Sequence, residues 1–236
     1  MAGMTWSPRH RLAGWAAVVS GLIGLVAFGL LIDALVMRVK LAPAADTEAQ
    51  VFLPGPWDLP FRSHLVGVAL QALLLIPAVL WLHRLGRQRS PRASRATAVV
   101  GVLGQTGIVL AVLLVFATRA FWNDGLYFFP QGLVGVWLVA AGVVVSGLLP
   151  RGLTRGAIVA GLFLVVTGAA NVGIAIAEWP VLLAFDKPGV AADPAAASST
   201  LNQVSHNFLL LGIFGRVIYP IWAILLGRRM LREGGA

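Results

Sequence analysis

Arg216 stands inside the apolar run Asn207–Leu226, nine residues after its first residue and ten before its last. In an α-helix that places the guanidinium roughly 14 Å from either end. At such a depth in a bilayer an arginine costs about 2.5–3.5 kcal/mol on insertion scales, so a partner, water or a ligand has to compensate it. Gly212, Gly215 and Tyr219 surround it, and Pro220 follows four residues on. Proline has no N–H to give the Arg216 carbonyl, so a bend and an exposed acceptor are expected there. A charge at an interrupted membrane helix is how many transporters build a midplane site. Gln71, Gln105 and Asn171 occur at comparable depth in other apolar runs. Arg216, Tyr219, Gln71, Gln105 and Asn171 therefore form the candidate ligand-binding set, suited to an anionic or amphipathic small molecule. The plainer alternative is structural: amides bridging helices to the arginine, each bond worth around 0.6–2 kcal/mol.

A second polar group is expected toward the outer face: Asp33, His64, Glu178 and His206. Two imidazoles and two carboxylates could hold a metal or relay protons. No pair has a helical ligand spacing, however, and neither HxxxH nor HExxH occurs. Membrane interfaces are where polar residues cost least, so no metal and no cofactor is assigned. The chain has no cysteine, which removes thiolate ligands, Fe–S clusters and a cysteine nucleophile. It also lacks a Walker loop, a Gly-x-Ser-x-Gly elbow and an Asp-x-x-Asp pair, and no catalytic residue is identified.

The elements that carry these residues are six apolar stretches: Leu12–Met37, Ser63–Leu82, Ala96–Thr118, Pro130–Leu149, Gly156–Ala177 and Asn207–Leu226. Each is about 20 residues or more, the length of a membrane-crossing helix. Hydrophobic residues make up 58% of the chain and charged residues 11%, with mean hydropathy +0.86. Soluble domains carry about 25% charged residues, so this composition cannot coat a water-facing surface. The expected fold is an all-α polytopic bundle of six helices forming one transmembrane domain over residues 1–236. The net charge of +9 is a matter of topology and does not point to nucleic acid.

The basic residues alternate between the polar stretches. Arg9, Arg11, Arg84, Arg87, Arg89, Arg92, Arg95, Arg151, Arg155, Arg228, Arg229 and Arg232 share one side with a single acid, Glu233. The other side holds Arg38, Lys40, Arg62, Arg119 and Lys187 with the remaining acids. The positive-inside rule then puts both termini in the cytoplasm, in a bacterial inner membrane. The first stretch is too long for a signal-peptide core and is expected to be retained. Gly101, Gly104 and Gly107, then Gly142 with Ser146 and Ala169 with Gly173, mark expected helix contacts. Short Ala–Val–Gly runs opening the first, third and fifth stretches read better as similar helix starts than as a duplication.

Gly132-Leu133-Val134-Gly135-Val136-Trp137, Leu149-Pro150-Arg151-Gly152-Leu153 and Gly156-Ala157-Ile158-Val159-Ala160-Gly161 form a hairpin. With Tyr219-Pro220-Ile221-Trp222 and Leu226-Gly227-Arg228-Arg229, it resembles the last three helices of a group of bacterial six-helix membrane proteins without established activity. The resemblance implies the fold and carries no functional residue. Three functions are compatible with the whole. They are transport or binding of a small molecule around Arg216, an accessory or scaffold subunit of a larger membrane complex, and an integral-membrane enzyme on lipid or isoprenoid substrates. The partners expected are the lipid bilayer and a membrane-protein partner or second copy.

Overall fold

The computed structural model describes residues 8–41, 56, 58–118, 125–177 and 200–233. Among them the chain is all-helical, with α1 Pro8–Leu41, α2 Asp58–Gly86, α3 Pro91–Thr118, α4 Gly125–Val144, α5 Arg151–Ala177 and α6 Thr200–Glu233. Five of the six are long and apolar enough to cross a membrane, and α4 carries the shorter apolar segment Phe128–Val144. Several helices overrun the apolar stretches: α2 begins five residues before Ser63, and α6 begins seven before Asn207. Hydropathy marks where polar side chains stop, whereas the hydrogen-bonded backbone continues beyond that point.

Each helix packs on the next in sequence, and α1 closes on α6, so the bundle is a ring. Short turns enforce the antiparallel neighbours. Between α2 and α3, Ser94 Oγ donates to the His83 carbonyl at 2.7 Å while His83 Nδ1 lies 2.9 Å from the same hydroxyl. Pro91 opens α3, where a missing N–H leaves no bond unmade. Between α4 and α5, Gly147 adopts φ +82°, a region that costs a residue with a Cβ about 1 kcal/mol or more. Arg89 donates to the Ser146 carbonyl and so ties the two turns together.

Glycines set how closely the helices approach. A Cβ at Gly135 would lie 2.6 Å from the Gly161 carbonyl oxygen and from Val165 N. A Cβ at Gly227 would meet the Gly14 carbonyl at 2.5 Å, sealing α6 to α1. Gly101 and Gly104 receive Trp137 and Val134 of α4, and Gly142 receives Ile158 of α5. These three, with Gly107 against Pro130 of α4, fulfil the packing role read from their spacing. Ser146 and Ala169 are exposed instead, and the surroundings of Gly173 lie outside the described residues.

Large apolar side chains cover the outside as well as the core, and a smaller set of polar ones lies inside. Leu103, Leu110, Leu113 and Val143 are about 60% exposed on the outside (59%, 60%, 59% and 60%). Ser20, His64, Gln71, Gln105, Gln131, Thr167 and Asn171 are buried inside. Continuous outer apolar surface of this kind fits a lipid surround and would aggregate in water. α2 and α6 run unbroken through Pro77 and Pro220. Gly21 of α1 makes room for the Pro220 carbonyl.

Candidate functional site

A cavity lies between the helices, and all six contribute to its wall. It measures about 30 Å³, room for about two or three waters. Its polar wall is His64 and Gln71 from α2, Gln105 from α3, Gln131 from α4, and Arg216 and Tyr219 from α6. Gly24 and Phe28 of α1 and Leu164 of α5 are among the apolar remainder.

Each polar group is placed by a specific local device. Ser20 Oγ donates to the Gln71 carbonyl at 2.9 Å, pinning α1 to α2. One turn along α1, Gly24 leaves space that the Gln71 amide fills: a Cβ there would stand 2.5 Å from Nε2. His64 Nδ1 lies 2.8 Å from the Ala27 carbonyl, which can only accept, so Nδ1 carries the hydrogen. A neutral ring then presents a lone pair at Nε2. Gln105 Nε2 donates to the Tyr219 hydroxyl oxygen at 2.8 Å, across the ring from α3 to α6. Tyr219 stacks on Trp222 with centroids 6.4 Å apart. Trp222 is held in turn by Nε1 donating to the Leu153 carbonyl at 3.0 Å and by an edge-on contact with Trp137.

Arg216 places its guanidinium carbon 4.3 Å from the centroid of the Phe128 ring on α4. Desolvated cation–π contacts of this kind reach about 2 kcal/mol, which offsets much of the insertion cost of the charge. His64 lies within its electrostatic reach. Gln71 Nε2, Gln105 Oε1 and Gln131 Oε1 are buried with no hydrogen-bond partner among the described residues. Each such orphan costs about 1–3 kcal/mol. All three belong to residues of the cavity wall.

Four of the five residues expected to bind a ligand, Arg216, Tyr219, Gln71 and Gln105, share this wall. Asn171 is buried but is not part of it. Of the second polar group, only the side chains of Asp33 and His64 lie among those described. Asp33 is exposed, while His64 is buried and lines the cavity. Glu178 and the side chain of His206 lie outside the described residues. No group of three or more His, Asp or Glu comes together among the described residues. Gln131 and Phe128 were not among the residues picked out from the sequence, and His64 joins the cavity wall. Trp81 and Trp222 are buried, with 5% and 3% exposure. No protein-family model, curated protein or solved structure matches the chain.

Proposed function

We propose that this chain is a multi-pass membrane protein that binds a small polar solute in the cavity and carries it across the bilayer. One observation carries the reading: three orphaned amide atoms, a guanidinium and a tyrosine hydroxyl converge on one cavity. A bundle that needed only stability would do as well with leucine at Gln131 or Gln71, since paired apolar replacement of buried polar groups is close to neutral. The arginine distribution orients the bundle with both ends in the cytoplasm. A bacterial inner membrane suits that orientation.

A second reading, a structural or scaffold subunit, is favoured by the Phe128 contact, which gives Arg216 a role within the bundle. Proteoliposomes separate the two. The transport reading expects formamide, urea or formate to enter vesicles containing the chain faster than empty vesicles, and Gln105→Leu to slow that entry. Entry equal to that of empty vesicles for every solute would leave the scaffold reading.

A further inference from the structure

We infer that the cavity selects a small primary amide, uncharged and of the size of formamide, by meeting its N–H hydrogens and its carbonyl oxygen together. The inference rests on the binding reading above and deepens it by naming the ligand class.

The first feature is the balance of hydrogen-bond groups on the wall. Among the described residues, Gln105 Oε1 and Gln131 Oε1 are buried acceptors without a partner, and Gln71 Nε2 is a buried donor without one. The Tyr219 oxygen accepts from Gln105 Nε2, so its own hydrogen remains to be donated. The wall thus offers two acceptors and two donors, spread over α2, α3, α4 and α6. A primary amide is their complement: its nitrogen supplies a pair of hydrogens and its carbonyl oxygen a pair of acceptor sites. Charge follows from the same groups. No carboxylate lines the cavity among the described residues, so a cation would shed its hydration against no opposite charge. Arg216 is engaged within the protein, the Phe128 ring being one of its contacts. The remaining groups are neutral and half of them are acceptors, which an anion without a hydrogen cannot satisfy.

The second feature is size. Room for about two or three water-sized spheres, from a volume of about 30 Å³, fits a ligand of about three or four heavy atoms. It excludes a sugar, a nucleotide or a lipid headgroup. Water could meet the same groups, but only by ordering several molecules at once. One planar amide holds its donors and its acceptor in a fixed arrangement and releases those waters to bulk, which favours it entropically.

Thermal unfolding of the full chain in mild detergent, with formamide, acetamide, N-methylformamide or sodium formate, tests this. Acetamide and N-methylformamide are isomers of one size and no charge, but the second has lost one N–H hydrogen to a methyl group. So small a ligand binds at about millimolar strength at best. At about ten times the half-saturating concentration, formamide and acetamide should raise the midpoint by about 3 °C. N-methylformamide and formate at equal concentration should give at most about a third of that. Gln131→Leu, which removes an acceptor and keeps the volume, should weaken formamide binding by about threefold or more, and an undiminished effect would overturn the class. If that variant does not fold, the isomer comparison decides on the unaltered chain. Equal stabilisation by the two isomers, or by formate and formamide, would overturn the primary-amide class while the cavity kept its role as a binding site. Stabilisation by none of the four would overturn both.

Discussion

The hydrogen bond between Gln105 and Tyr219 gives the sharpest test of how the cavity wall is held. Gln105 is fully buried and Tyr219 is 7% exposed, so neither finds bulk water when its partner is removed. Tyr219→Phe takes away the acceptor of the 2.8 Å bond and leaves both ends of the Gln105 amide orphaned, since Oε1 has no partner already. A buried orphan costs about 1–3 kcal/mol, and interhelical bonds in membrane bundles measure about 0.6–2 kcal/mol. The cavity lets a water reach the amide and lowers the cost, so about 1–1.5 kcal/mol is expected. Gln105→Leu should cost a similar amount by stranding the Tyr219 hydroxyl. The double variant should cost little more than either single one, because both polar partners are gone. The coupling is then about 1 kcal/mol, measured by reversible unfolding in mixed micelles. Additivity within about 0.5 kcal/mol would refute the bond as a support of the wall.

Further outcomes follow from packing and topology. Gly135→Ala forces a Cβ against backbone atoms of α5 at 2.6 Å and should destabilise the bundle by about 1–3 kcal/mol. Gly29→Ala meets nothing within 4 Å and should be neutral or stabilising by up to about 1 kcal/mol; similar melting shifts for the two would contradict the seam. Gly147→Ala should cost about 1–2 kcal/mol through its left-handed φ of +82°, read by the same unfolding assay. A cysteine introduced at Ser90, in a chain with none of its own, should be labelled only after intact cells are opened. Labelling from outside would reverse the orientation.

How much of this was legible in the sequence depends on what each residue signals locally. Helix number, order and span length follow from apolar runs separated by Pro, Gly and charge, because a lipid-spanning backbone has few alternatives to helix. Arg216 announced itself because nothing else charged occurs in its run. Gln71 and Gln105 were visible for the same reason. Gln131 was not: it follows Pro130 at the edge of an apolar stretch, where a polar residue usually means an interface. α4 in fact begins at Gly125 and carries Gln131 inward. α2 likewise starts at Asp58, ahead of its apolar stretch, which places the buried His64 inside the helix. The Phe128 contact depends on the rotation of α4 about its axis, which no local pattern encodes. The ring closure of α1 on α6 likewise rests on glycines 14 and 227, far apart in sequence.

On the binding reading, this bundle encloses a polar, hydrated site while its outside faces lipid. Cysteine reactivity tests it directly, because only a thiol that can ionise in water reacts with a methanethiosulfonate reagent. Ile108 lines the cavity, and Leu110, two residues on along α3, is 60% exposed on the outer surface. In proteoliposomes, Ile108→Cys should react with the small ethylammonium reagent and be protected by formamide, whereas Leu110→Cys should stay unmodified. A reactive Leu110→Cys beside an inert Ile108→Cys would contradict the account.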